Sequence, residues 1–538
     1  MTATCGYSHD VSGERFDDID GDRWVCPREA LSDGEPCLFH ANPDHVDATA
    51  VCDQLLQAIN EGSGPLRLIG ASLGGLDLDY AVLDGPSNQP MDLRESTITG
   101  SVSLRHATVK MPLLLQGSHL HGTLDLEDSV LTRRVDFGGA TLAGRVSFRM
   151  ADFQSWLDLG GAEFRGPVYA RVARFRRGIY GVDTLFTDAA DFLNTRFDDV
   201  ANFYRATFES GAVFDSSTFT SNAQFIEATI DAPAVKLDSS SGNPRSTAET
   251  LGGVALSMNS VTCEREFRLT DTTLTGDITF TGSDLGRDLR TGGLSTDGSD
   301  IVVDCTGTSV ISGVVGGDAE SVTYDMTEAA VGEVELVDNA EFSIFCFDAT
   351  TFEGFDFSSY KRELAANDWQ LHDDERDWSP EQLENLYLRA KNGANEIGDN
   401  RAAAEFFTRE MDYVRRGHWR RMVETSSPVT ALRSAGKWIS NVSLKVSCGY
   451  GERPLRPVFF SLTVIMLFAG VYGAFDAPIT YTKPLGFIIF SIVSFVSIIL
   501  GLPEAAGTLL SFVIAVEAFI GGFTIALFVF TLTRSISR

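Results

Sequence analysis

The feature that most restricts this chain is an apolar ladder whose steps alternate between five and six residues. Leu93, Ile98, Leu104, Val109, Leu115, Leu120, Leu126, Leu131, Phe137, Leu142, Phe148, Phe153, Leu159 and Phe164 form one unbroken run. The phase continues through Phe175, Phe186, Phe192, Phe197, Phe203, Phe208, Phe214, Phe219, Phe225 and Ile230, skipping only Ala170 and Gly181. Two positions before every second rung stands a small residue, repeating every eleven residues from Ser96, Ala107 and Ser118 to Ala206, Ser217 and Ala228. An α-helix buries residues at a period of about 3.6, so it is excluded here. The spacing suits a coil with four short sides, each pointing one apolar residue at the axis, with two eleven-residue units per turn. Such turns bury little alone and gain stability by stacking. A piece with a step of five (Leu68, Leu73, Leu78, Leu83) starts the series. After a polar insertion, "SSSGNPRSTAET", it resumes at Met258, Cys263, Leu269, Leu274, Phe280 and Leu285, and it returns more weakly toward Phe342, Phe347, Phe352 and Phe357.

Stretches such as "ANFYRATFESGAVFDSSTF" resemble degenerate pentapeptide repeats, and the resemblance implies a right-handed β-solenoid over residues 61–357. The large rungs are then core rather than a ligand site. Arg133, Arg134, Arg174, Arg176 and Arg177 read as salt-bridged flank residues or as an anion site. No nucleophile elbow, phosphate loop or grouped catalytic His marks an enzyme.

The charge of −31 comes from 74 acidic against 43 basic residues, of which only seven are Lys. A Lys-poor, Asp-rich surface stays hydrated when molar salt screens charge, which predicts a cytosol of the salt-in halophile type. The acid is spread along the soluble part and no basic tract offers a nucleic-acid surface. The N-terminus lacks a basic region followed by an apolar one. The eight Cys of the chain are scattered, as in a reducing compartment. The soluble part is therefore expected in the cytoplasm.

Three apolar stretches close the chain: Pro457–Phe475, Pro484–Leu502 and Thr508–Leu532. A span takes about 20 apolar residues, so each is long enough by length. Arg433, Lys437, Lys445, Arg453 and Arg456 precede the first, and Arg534 and Arg538 follow the last. Basic flanks mark the cytoplasmic side, so an even number of crossings is expected. One stretch must then enter and return on the same side. The middle one is bracketed by Lys483-Pro484 and Gly501-Leu502-Pro503-Glu504, both helix breakers. Irregular backbone at membrane depth survives only when buried in protein or lining a cavity, which implies an oligomer around an axis. Three full spans with an extracellular C-terminus is the competing topology.

"FIIFSIVSFVS" resembles the pore helix of two-transmembrane potassium-channel-like pore domains, and "LLSFVIAVEAFIGGFTIALFVFTLTRSISR" is similar to their inner helix. The resemblance covers about the last eighty residues and implies a tetramer that conducts cations. Where that family carries Thr-x-Gly-Tyr-Gly-Asp, this chain reads Ser497-Ile498-Ile499-Leu500-Gly501-Leu502-Pro503-Glu504. Potassium selectivity needs a ring of closely spaced backbone carbonyls. With Gly501 alone remaining, the usual filter is not expected. Gly449-Tyr450-Gly451 lies before the first span, where no pore loop can exist. "SCGYGERPLRP" resembles instead the turn into the first span of pentapeptide-repeat members of this family. Glu517, near mid-helix, costs roughly 2.5–3.5 kcal/mol if it faces lipid. It is either a pore charge favouring cations or a buried hydrogen-bond partner of Ser491 or Ser494. Gly521-Gly522 is a gating hinge or a close-packing surface.

At the other end, Cys5, Cys26, Cys37 and His40 make a Cys3His set suited to a closed structural zinc site, with His9 or His45 as substitute ligands and unpaired thiols as the alternative. It would hold a small cap, residues 1–60. Ser379-Pro380-Glu381-Gln382 is a helix-start signature, and an αα-hairpin is predicted within 358–425. It resembles the hairpin that joins pentapeptide repeats to pores. The basic segment 426–456, with Trp438, suits the membrane surface, and 457–538 is the pore-like region. The function expected is a tetrameric ion channel of the cell membrane, crossing it more than once. Its N-terminal domains and C-terminus would be cytoplasmic, and a cytoplasmic protein or small ligand would regulate it. The alternative is a non-conducting, membrane-anchored scaffold derived from a channel.

Overall fold

Two-residue strands, one per side per turn, build the N-terminal body into four parallel sheets of eight, thirteen, ten and twelve strands, a β-solenoid. The computed structural model describes residues 4–61, 66–85, 89–233, 253–316, 321–336, 342–372, 378–475, 485–501 and 507–536. The chain divides into two units, Met1–Phe355 and Asp356–Arg538. In the first, Thr108 pairs with Val130 and Val130 with Asp152, a register of 22 residues that equals two eleven-residue units. Backbone amides bond to the neighbouring turn, as from Leu104 to the Asp125 carbonyl and from Phe137 to that of Asp158, both at 2.8 Å.

The eleven-residue period is set at the corners. Glu95, His106, Gly117, Asp128, Gly139, Met150, Gly161 and Val172 all have φ between 55° and 66°. Each directly precedes a small residue of the series, which enters a buried bend too tight for a large side chain. Where that residue carries a hydroxyl, a carbonyl accepts from it: Thr195 to Ala170 and Ser217 to Phe192, each at 2.7 Å.

A second buried column escaped the sequence reading. Val102, Leu113, Leu124, Val135, Val146, Leu157, Val168, Ile179, Ala190, Ala201, Ala212 and Ala223 stand two residues before the remaining rungs. The two columns compensate in volume. Ala170 and Gly181, the skipped rungs, are preceded by Val168 and Ile179, whereas Phe192, Phe203, Phe214 and Phe225 are preceded by alanines. A Cβ on Gly181 would lie 2.8 Å from the Phe203 ring, which already fills that space. The phenylalanines stack turn on turn: Phe153, Phe175, Phe197 and Phe219 have successive centroid distances of 5.1, 5.3 and 4.6 Å.

Where the ladder weakens, the turn length changes. Ile278 pairs with Val303 and Leu289 with Gly313, but Ile301 pairs with Val322, so the register slides to 25, 24 and then 21 residues. Strands lengthen there to seven residues, Ser309–Val315 and Ala330–Leu336. The helix α1 (Ala48–Glu61), not anticipated from sequence, packs Val51, Cys52, Leu55 and Ile59 inward and lies against the first-turn strands Leu76–Asp77 and Val82–Leu83.

In the second unit Phe357, read above as a last rung, packs its ring on Phe406 at 4.7 Å. The helix α2 (Lys361–Ala366) is followed by α3 (Pro380–Glu396), whose capping box pairs Ser379 with Gln382. A turn at Gly398 leads into α4 (Asn400–Glu424), and the two pack as a hairpin around Leu386, Tyr387, Phe406 and Tyr413. Next come α5 (Pro428–Cys448), α6 (Leu455–Ala474), α7 (Leu485–Phe495), α8 (Ser497–Leu500) and α9 (Thr508–Ile536). By length and composition α6 and α9 are long and apolar enough to cross a membrane. The middle stretch is not one long helix. Eleven residues of α7 reach about 16 Å, roughly half of a ~30 Å hydrocarbon core. Its helix breaks at Val496, with φ −91° and ψ 2°.

Two substitutions test the packing account in opposite directions. Phe203→Ala opens a cavity in the stacked core and should cost about 3–5 kcal/mol. Val172→Gly relieves a β-branched residue held at φ 60° on an exposed corner and should stabilise by about 1 kcal/mol. Thermal unfolding of the detergent-solubilised chain, followed by its β circular-dichroism signal, reads both.

Candidate functional site

The N-terminal cluster forms as the sequence predicts. The antiparallel pair Ser8–Asp10 and Arg23–Val25 brings Cys5 toward Cys26, and a tight turn places Cys37 beside His40. All four residues are buried and their ligand atoms lie within 4.8 Å of one another. Cys26 Sγ is 3.9 Å from Cys37 Sγ, and His40 Nδ1 is 3.7 Å from Cys5 Sγ and 3.2 Å from Cys37 Sγ. A tetrahedral zinc with ~2.3 Å bonds to sulfur sets its ligands about 3.8 Å apart, so donor set and spacing fit. His40 Nε2 is 3.0 Å from the Ile69 carbonyl, a bond that leaves Nδ1 to face the sulfurs. The adjacent Cys26 sulfur and burial push the Cys37 thiol up to about 11. A cation held here displaces that proton. With four protein ligands, a metal held here would have no open coordination position. His9 sits apart, its Nδ1 3.4 Å from the Tyr7 hydroxyl, and His45 lies in a 3-10 turn outside the cluster.

The cap also supplies partners to the first solenoid turn, which has no turn before it. Ser72 donates its amide to the Phe39 carbonyl at 2.8 Å, and the Asp77 amide meets Cys52 Sγ of α1 at 3.3 Å. Arg94, 2% exposed, reaches from the solenoid into the cap. It pairs with buried Asp92 and with Asp18, each at 2.7 Å, donates to the Arg15 carbonyl, and lies over the Phe16 ring. Sequence reasoning missed this anchor, although the paired charges of Asp92-Leu93-Arg94 around a rung were its signal. Of the arginines weighed as an anion site, Arg174 pairs with Asp198 and Arg176 with Asp152.

Among the helices, Glu517 is fully buried and joined to both neighbouring elements. It accepts from Ser491 Oγ of α7 and, at 2.5 Å, from the Tyr472 hydroxyl of α6. The buried hydrogen-bond reading of Glu517 matches these contacts. Tyr472 went unnoticed, though it is the one phenol of the first apolar stretch. A Cβ on Gly521 would overlap the Phe495 carbonyl, and one on Gly522 would come within 2.6 Å of Ile498, so both glycines admit close packing of α9 on α7 and α8. Ser497 Oγ donates to the Ser494 carbonyl at 2.6 Å. Ile498 and Ile499 are exposed, Leu500 ends α8, and Gly501 has φ +95°. Leu502 and Glu504 lie outside the described residues.

Gly449-Tyr450-Gly451 forms the turn between α5 and α6. No protein-family model, curated protein or solved structure matches the chain. What its own residues define is a β-solenoid with a buried Cys3His cluster that could hold a metal ion, and a helical unit in which two membrane-length helices flank a shorter apolar one.

Metal binding by the Cys3His cluster is checked by elemental analysis of the purified chain. One zinc per chain is expected, falling to near zero in Cys37→Ser. Arg94→Leu, which leaves Asp92 buried and unpaired, should destabilise by about 3–5 kcal/mol while zinc stays bound.

Proposed function

We propose that this chain is the subunit of an oligomeric membrane pore related to the two-transmembrane potassium-channel-like superfamily. The observation that carries it is α7, an apolar helix too short to cross, fastened through Ser491 to Glu517 on one membrane-length helix and, through Glu517, to Tyr472 on the other. A half-length helix at membrane depth needs its ends buried in protein or facing a cavity. Further copies of the chain around an axis, four by the resemblance, supply that burial. In this reading α7 is re-entrant, α6 and α9 cross, and the N-terminal domains and C-terminus lie in the cytoplasm.

The conduit runs past Ile498, Ile499, Leu500 and Gly501. An apolar rim with one glycine favours a hydrophobic constriction that conducts cations without a potassium-type carbonyl ring. The same rim supports the second reading, a non-conducting scaffold. The α5 helix exposes Val429, Leu432, Ile439 and Val446, with Arg433 and Lys437 among them, which suits the bilayer interface. The solenoid, right-handed and acidic, serves as the regulatory body that binds a cytoplasmic protein or small ligand in a high-salt cytosol, with zinc fixing its cap.

Two measurements on detergent-solubilised protein test this. Its mass should be four times the 58.4 kDa chain, and planar bilayers should show unitary cation currents with weak preference for potassium over sodium. A tetramer that stays silent favours the scaffold. A monomer contradicts both the pore and its symmetry.

A further inference from the structure

Three consecutive residues, Gly449, Tyr450 and Gly451, hold φ values of 56°, 59° and 88°. A left-handed run of this kind is confined to glycine at low cost, so the central tyrosine must be held by its surroundings. Tyr450 is buried. Its hydroxyl lies 2.7 Å from Asn441 Oδ1 and 3.1 Å from Asp412 Oδ1 and accepts from Arg415 at 3.0 Å. Asp412 and Arg415 belong to α4, and Lys445 of α5 bonds Asp412 at 2.7 Å. The next two residues face a different helix. A Cβ on Gly451 would lie 3.2 Å from the Phe530 ring of α9. Glu452, its side chain 6% exposed, pairs with Arg534 near the end of α9 at 2.7 Å. The Arg534 guanidinium also sits 5.7 Å from the ring of Phe407 on α4.

We infer that the Gly449–Glu452 turn is a latch that couples the α3–α4 hairpin to the terminal turns of α9. Resting on the pore reading, it makes these contacts the route by which the hairpin regulates the inner end of the conduit. The turn is suited to transmission because its backbone leaves little slack and three of its residues each meet a neighbouring helix. Tyr450 grips α4, Gly451 admits Phe530, and Glu452 holds Arg534. A buried carboxylate is sensitive to loss of an arginine paired with it, so breaking the Glu452–Arg534 pair should loosen the latch.

The test uses the full chain in its detergent-solubilised assembly. Hydrogen exchange of residues 526–536 reads the latch directly, and unitary currents read its effect. Glu452→Gln should speed exchange there at least tenfold and raise open probability several-fold, and the swap Glu452→Arg with Arg534→Glu should restore both. Tyr450→Phe, which keeps the ring and removes only the hydroxyl, should also speed exchange at the α9 end and covers the case in which Glu452→Gln does not fold. Exchange unchanged in both single variants, or a swap that behaves as the sum of two losses, overturns the latch. Exchange that responds as expected in a protein that never conducts upholds the latch and sinks the pore reading. Currents indifferent to all variants in a conducting protein overturn the coupling.

Discussion

A backbone amide taken out of water must find another partner, and both units of this protein are arranged around that requirement. In the solenoid, strand amides of one turn bond to the neighbouring turn, so a terminal turn lacks partners on its outer side. At the N-terminal end the leftover groups meet the cap: Ser72 bonds Phe39, Asp77 meets Cys52, and the Ile69 carbonyl faces His40. The Cys3His cluster thus sits where the cap covers an open sheet edge, which would otherwise offer a template for pairing with another chain. His40 serves both purposes, one ring nitrogen toward the sulfurs and the other toward the first turn.

Core volume is the second constraint, and it is satisfied jointly by two columns. From Ala170 to Phe225, large rungs stand next to alanines and small rungs next to Val or Ile, which evens the filling of successive turns. Stacked phenylalanines at 4.6–5.3 Å match the strand spacing, which ties ring size to backbone geometry. In the helical unit the same economy appears at Gly521 and Gly522, where absent side chains let α9 approach the break between α7 and α8.

How much of this was legible depends on whether a residue's partner is fixed by spacing. The rungs from Leu93 to Ile230 repeat locally, so their burial and the 22-residue register followed from counting. The column from Val102 to Ala223 did not, because its members run from Leu and Val to Ala and the alanines give no apolar signal of their own. Between Ile278 and Leu336 the turns shift to 25, 24 and then 21 residues, and a fixed period loses the phase. The Cys3His set was readable because thiols are scarce in this chain. Arg94, Tyr472 and the Gly449–Glu452 turn act through partners distant in sequence, Asp18, Glu517 and Arg534, and spacing cannot reveal those. The break at Val496 was hidden too, since no Pro or Gly marks it, yet the helix Leu485–Phe495 ends there and a separate short one, Ser497–Leu500, follows.

The central claim is that α7 dips into the bilayer and returns, leaving both ends of the chain on one side. The eight native cysteines are all buried, so a cysteine introduced at position 538 can be followed with a maleimide that does not cross membranes. The account expects no labelling in intact cells and full labelling once the membrane is permeabilised. Labelling from outside intact cells would put the end of α9 beyond the membrane, make three crossings of the helical region, and contradict the pore.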